Sequence, residues 1–172
     1  RNTPIFVKMS NKQQTRMTTL KEGDKAPRFE GIDQNGRPVS LDDFAGKRLI
    51  LYFYPKDNTS GCTAEACSLN EGYAALTGLG FEVVGVSPDP AGSHQKFIAK
   101  HNLAFNLIAD TEKKILKAYG VWAEKKMYGR AYMGVLRTTF VIGGDGIIEK
   151  VIAKVNTKDH AGQILKELGI QR

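Results

Sequence analysis

Apolar positions in this chain fall into short blocks divided by polar turns, and their spacing changes from block to block. Leu49-Ile-Leu-Tyr-Phe-Tyr54 is a continuous apolar run, the signature of a strand covered on both faces. Residues 81–87 (FEVVGVS) predict a second strand, and residues 105–109 a shorter extended segment. Between and after these the apolar spacing lengthens to a helical period. It predicts helices over residues 62–79, over 93–101 with Phe97, Ile98 and Leu103 inward, and over 112–119 with Ile115, Leu116 and Tyr119 on one face. Near the start, residues 27–32 and 38–41 flank Asn35-Gly36, a hairpin signal, and Ser40-Leu-Asp-Asp-Phe44 reads as a capped single turn. Near the end, residues 138–142 and 147–155 flank Gly143-Gly-Asp-Gly146, a second hairpin signal. A helix over 159–168 follows, with Ala161, Ile164, Leu165 and Leu168 inward. Residues 121–134 are the least regular stretch and read as a loop or a broken hairpin.

Strands alternating with helices, closed by a hairpin and a helix, predict an α/β, thioredoxin-like sandwich. Its central mixed β-sheet is flanked by helices and preceded by an N-terminal β-hairpin. The 172 residues fit one domain with a substantial core, and 41% hydrophobic with 25% charged residues is ordinary for a globular chain. No apolar run approaches the roughly 18 residues of a membrane-spanning helix. The formal charge of +7 is unevenly placed. Four of the 25 basic residues (Arg1, Lys8, Lys12, Arg16) lie in the acid-free first twenty; the other 21 face all 18 acidic residues, a net +3. That excess lacks the aromatic interleaving of a nucleic-acid surface, so no nucleic-acid partner and no membrane partner is expected. Residues 1–20 read as a basic extension outside the fold, with residues 21–172 as the domain. The extension is either a targeting segment or an appendage to a chain whose natural start is Met9 or Met17; it has no secretory apolar core. The expected compartment is the cytoplasm, with an organellar origin open if the extension is a targeting remnant.

Two cysteines are too few for a disulfide scaffold. Cys62 and Cys67 are close in sequence, far along the chain from His94, His101 and His160, and short of the four ligands of a structural zinc site. The pair therefore reads as redox chemistry or as coincidence. Cys62 follows a strand and a Gly-containing loop and opens a helix, where free N–H groups and the helix dipole favour thiolate over thiol. An unperturbed thiol is only a few per cent ionised at pH 7, so such a position marks an activated nucleophile; a packed core thiol is the competing reading. Five positions along a helix separate two Cα atoms by about 8.7 Å, beyond the roughly 4.4–6.8 Å a disulfide spans. A Cys62–Cys67 bond thus requires the first turns of the helix to unwind. Otherwise Cys67 is a buried residue beside Ala66 and Leu69.

The string Tyr54-Pro-Lys-Asp-Asn-Thr-Ser-Gly-Cys-Thr-Ala-Glu-Ala-Cys67, with Pro55-x-x-x-Thr59-x-x-Cys62 inside it, resembles the active-site signature of peroxiredoxins of the Q-type, or bacterioferritin-comigratory, subfamily. The likeness runs from about Leu20 onward and includes Gly23-Asp-Lys-Ala-Pro-Arg-Phe and Gly134-Val-Leu-Arg-Thr-Thr-Phe. It implies a thiol peroxidase reducing hydrogen peroxide and organic hydroperoxides, with no metal and no other cofactor. Cys62 matches the peroxidatic cysteine, and Cys67 the resolving cysteine of C-x4-C members. Thr59 matches the residue whose hydroxyl bonds thiolate and peroxide, Pro55 the residue that shields the pocket, and Arg137 the distant arginine beside the thiolate. The reductant implied is thioredoxin or a glutaredoxin-like dithiol protein, and the implied assembly a monomer or weak homodimer. Ser60 departs from the commonest string, which has Pro there and a stiffer helix start. Without the resemblance, Pro55 reads as a strand terminator, Thr59 or Ser60 as a helix N-cap, Arg137 as a surface ion pair, and Glu65 as a first-turn cap more readily than an orienter of Arg137. A thioredoxin-type oxidoreductase would need the C-x-x-C that is absent here; a non-enzymatic module would need five coincidences.

Overall fold

The computed structural model describes residues 17–171. Five strands form the central sheet in the order β5-β4-β3-β8-β9: β3 (Arg48–Phe53), β4 (Phe81–Ser87), β5 (Asn106–Ala109), β8 (Thr138–Ile142) and β9 (Ile148–Ile152). β3, β4 and β5 pair in parallel, whereas β8 pairs antiparallel with both β3 and β9. The sheet is mixed, as expected, and β3 at its centre is buried on both faces. Alternate residues of β3 feed two cores. Ile50 and Tyr52 point to one and Leu49, Leu51 and Phe53 to the other.

The first core is closed by α1 (Ser60–Glu71), α2 (Tyr73–Gly78), α3 (Ala91–His101) and α5 (His160–Glu167), through Ala66, Leu69, Leu76, Phe97 and Ile164. The second is closed by α4 (Lys114–Ala118) and by the N-terminal hairpin, β1 (Glu30–Ile32) with β2 (Pro38–Ser40). The single turn after β2 is a 3-10 helix, Leu41–Phe44, in which Ser40 N donates to Asp43 Oδ2 at 2.9 Å. Among the described residues no helix is long and apolar enough to cross a membrane.

Three expectations are corrected. The helix expected over 62–79 breaks at Gly72 (φ −87°, ψ 0°), where a Cβ would lie 2.7 Å from the Ala161 side chain of α5. α4 is shorter than expected: Lys113 takes a left-handed backbone (φ 61°), and Asp110 Oδ2 accepts from Leu116 N at 2.8 Å to start the helix late. The supposedly irregular stretch is a regular antiparallel hairpin, β6 (Trp122–Met127) with β7 (Arg130–Val135). Its two-residue turn, Tyr128-Gly129, has φ of 52° and 77°, the mirror-image turn that suits strand twist. The expectation for the basic extension falls largely on residues outside those described. At its end, Thr18 Oγ1 donates to Tyr119 O at 2.6 Å and Leu20 packs against the second core.

Candidate active site

β3 delivers the chain to the site, and its neighbour β8 brings the other half. The register pairs Phe53 with Thr138, so the loop leaving β3 and the residue entering β8 meet at one end of the sheet. Cys62 lies in the first turn of α1, buried, and Arg137 lies just before β8. Arg137 Nη2 donates to Cys62 Sγ at 3.2 Å, and its Nη1 donates to Glu65 Oε1 at 2.6 Å. One guanidinium thus spans two residues three apart on a single helix face. Gly61 makes that approach possible: a Cβ at this position would sit 3.3 Å from Arg137 Nη2.

Glu65 therefore orients Arg137, the role the sequence placed second. Its side chain has no solvent exposure, and burial pushes the carboxyl up to about 7 against the pull of Arg137. For Arg137, burial works against the charge, but Glu65 and Cys62 outweigh it and hold the guanidinium above its usual value. Two further groups complete this side. His160 Nε2 lies 3.5 Å from Glu65 Oε2, and burial pushes this imidazole down to about 4, so it is neutral at pH 7. Its two nitrogens are taken by Gln163 Oε1 (2.8 Å) and the Thr139 hydroxyl (2.7 Å). Lys125 reaches in from β6 and donates to Val135 O at 3.0 Å; burial and the charge of Arg137 push its ammonium down, with Cys62 opposing them.

The loop before α1 is clasped from below. Asp57 is buried; its carboxylate accepts from the Tyr54 hydroxyl (2.6 Å), the Ser93 hydroxyl (2.8 Å) and His94 Nδ1 (2.7 Å). His94 Nε2 donates to Ile108 O at 2.9 Å, and Asp57 N donates to Asp89 Oδ2 at 2.8 Å. Burial pushes the Asp57 carboxyl up, but these hydrogen bonds outweigh it and hold the group below the usual carboxylate value. Asp57, Asp89 and His94 bring ligand-type atoms within 4.8 Å of one another, but those atoms are spent on each other and on the loop. The cluster is a clasp that ties residues 54–57 to β4, β5 and α3.

The remaining expected residues fall less tightly into place. Pro55 is half-buried in the same loop. Thr59 is exposed and is the N-cap residue of α1, yet its side chain makes no cap: Oγ1 donates to Lys56 O at 2.8 Å, away from Cys62. The first turn therefore has no side-chain cap and closes through Thr63 N donating to Thr59 O at 2.8 Å. Cys67 is half-buried five positions along an intact α1, and both thiols are free. Sequence distance misled in one respect: His101 Nδ1 lies 3.8 Å from Cys67 Sγ. Glu65, Lys125, His160 and the Asp57 clasp were not foreseen as a group, since each owes its role to a partner distant in the chain.

A helix N-terminus bearing a buried cysteine against a half-buried, doubly engaged arginine matches a known pattern over most of the chain. Residues 22–151 match the AhpC/TSA family. The chain belongs to that family. Similar peroxiredoxins include Peroxiredoxin Bcp of Bacillus subtilis, 44% identical over 150 residues (87% of this chain, 96% of that one). Peroxiredoxin Bcp of Escherichia coli is 40% identical over 152 residues, covering 88% and 97%. Among solved structures, a cysteine-to-serine mutant of Xylella fastidiosa PrxQ superposes with a TM-score of 0.83 at 31% identity, covering 89% of this chain and 98% of that one. Xanthomonas campestris Peroxiredoxin Q gives 0.77 at 35% identity, covering 82% and 89%. A further structure, of the Xanthomonas campestris bacterioferritin comigratory protein, concerns its alkyl peroxide reduction activity (TM-score 0.78, 32% identity, 89% and 98% covered). This peroxiredoxin is accordingly a thiol peroxidase on a thioredoxin-like fold, acting on peroxides and drawing electrons from a thiol reductant.

Proposed function

We propose that Cys62 is the peroxidatic residue and Cys67 the resolving one, in a cycle that closes through an intramolecular disulfide. The observation that carries this reading is Arg137 Nη2 at 3.2 Å from the buried Cys62 Sγ. The Cys62 thiolate attacks the distal oxygen of the hydroperoxide, the O–O bond breaks, and the departing oxygen takes a proton to leave as water or an alcohol. Cys62 is left as a sulfenic acid. Arg137 stabilises the negative charge that develops on oxygen, and Glu65 fixes the plane of its guanidinium. Pro55 walls the pocket. Thr59 turns its hydroxyl from Lys56 O toward the bound peroxide and donates there.

In the second step α1 unwinds at its start and Cys67 displaces the sulfenic oxygen as water. A dithiol protein of thioredoxin or glutaredoxin type then reduces the disulfide in a reducing compartment such as the cytoplasm. Likeness to the alkyl-peroxide-reducing relative supports organic hydroperoxides as substrates beside hydrogen peroxide. Reaction of the reduced protein with one equivalent of hydrogen peroxide, read by intact mass and free-thiol count, tests the cycle. Loss of both thiols with a mass decrease of about 2 Da is expected. Loss of one thiol with added oxygen would remove Cys67 from the cycle, and two surviving thiols would remove Cys62 as well.

A further inference from the structure

The three histidines of the domain are held very differently. His94 has both ring nitrogens engaged, by Asp57 and Ile108, and His160 has both engaged, by Gln163 and Thr139. His101 is the exception. Its Nδ1 faces Cys67 Sγ at 3.8 Å, and its Nε2 is buried with no hydrogen-bond partner. The ring lies edge-on to Phe97, with centroids 5.2 Å apart. Among the described residues His101 makes no ion pair, and Cys67 is the only titratable side chain with which it hydrogen-bonds. A structural histidine in a folded interior is normally satisfied at both nitrogens; this one is presented to a thiol and committed to nothing else.

Accepting that Cys67 is the resolving residue, the geometry points to His101 as the general base that ionises it. The neutral tautomer with its proton on Nε2 leaves Nδ1 free to take the thiol proton. His101 ends α3, one turn beyond Phe97, whose ring packs against it. The Cys67 thiolate then attacks the sulfur of the Cys62 sulfenic acid and the S–O bond breaks. The departing hydroxide takes the proton from the imidazolium and leaves as water. Cys67 is oxidised, Cys62 is reduced to the disulfide level, and His101 is restored to its starting form.

The pairing also survives the motion that the disulfide demands. Cys67 sits at the anchored end of α1. Asn70 Nδ2 donates to Asn102 O at 3.0 Å, and Asn70 Oδ1 accepts from Ala104 N at 2.8 Å, tying this end to the loop after α3. Ser68 Oγ accepts from Ala161 N at 3.3 Å. The start of α1 lacks a side-chain cap, so Cys62 travels and the Cys67–His101 pair stays together.

The substitution His101→Asn tests this. Reduced protein is mixed rapidly with peroxide, quenched with a thiol-alkylating reagent and followed by intact mass, which separates sulfenic acid formation from disulfide formation. The first step should match wild type and serves as the internal control. The second should slow about tenfold at pH 7, since an unassisted thiol is only a few per cent ionised there. It should then rise about tenfold per pH unit toward 8, where wild type is flatter. His101→Ala should recover part of the lost rate when imidazole is added to the buffer, an effect that a packing defect would not produce. Disulfide formation at the wild-type rate and with the wild-type pH dependence in His101→Asn would overturn the proposal while leaving the Cys67 cycle intact. Wild type that stops at the sulfenic acid would overturn the cycle, and this proposal with it.

Discussion

Arg137 does two jobs that a single positive charge cannot divide. Its two terminal nitrogens point at different acceptors, Cys62 Sγ and Glu65 Oε1, and only a planar fork reaches both in one conformation. Lysine at this position keeps the charge and gives up either the Cys62 contact or the Glu65 contact that fixes its direction. Loss of one oriented donor at a developing oxyanion typically lowers the rate by about 100- to 1000-fold. Arg137→Lys should therefore slow oxidation of Cys62 by roughly 100-fold, as followed by stopped-flow competition for hydrogen peroxide. A rate within about threefold of wild type would mean that charge alone suffices and that the Glu65 contact is incidental. At this scale the sequence was partly legible. The place of Cys62 at a helix start after a strand and a glycine loop was legible, whereas Arg137 is separated from it by 75 positions, and the role expected of it came from resemblance alone. Glu65 read as a first-turn cap more readily than as an orienter of Arg137, because nothing local reveals that residue 65 faces Arg137 and His160.

Elements with strong internal period were the legible ones. β3 and β4 are runs of apolar residues long enough to span the sheet, and α5 repeats Ala161, Ile164 and Leu165 on one stripe. The break between α1 and α2 was not legible, since its cause lies on another helix. Gly72 admits Ala161 at a distance where no Cβ fits, which lets α5 cross directly over the junction. The hairpin β6–β7 was missed for the opposite reason. Most of its residues are exposed on both faces, so no apolar alternation marks it, and only the Tyr128-Gly129 turn carries a signal. Two glycines of the same helical region separate packing from propensity. Gly72→Ala should destabilise the protein by about 1–3 kcal/mol, because α5 must retreat. Gly78, with nothing within 4 Å of its Cβ position, should accept alanine with no loss and a gain of up to about 1 kcal/mol. Urea unfolding of both variants decides the matter; equal effects would mean that the Gly72 junction is not set by contact with α5.

On the scale of the whole molecule, the sheet and the Asp57 clasp form the frame, and the start of α1 is the part that the proposed disulfide requires to move. The frame carries a buried acid and a buried base whose titrations oppose one another. Glu65 is raised from 4.5 to about 7. The stability it contributes is therefore full below about 4.5 and is lost as pH rises through about 7. His160 is lowered from 6.5 to about 4. Its contribution is full above about 6.5 and is lost as pH falls through about 4. Each displacement corresponds to something on the order of 3 kcal/mol, and the two slopes nearly cancel across the interval they share. Wild type should consequently hold a level stability between pH 4.5 and 6.5 as far as these two groups set it. Glu65→Gln removes one slope. The other remains, because His160 is depressed chiefly by burial, which the substitution leaves in place. In that variant stability should climb with pH, by on the order of 3 kcal/mol between pH 4 and 6.5. Denaturant unfolding of both proteins over this range reads the difference directly, with every other titrating group common to the two curves. Parallel curves would mean that Glu65 ionises as an ordinary carboxylate, unshifted by its burial beneath Arg137.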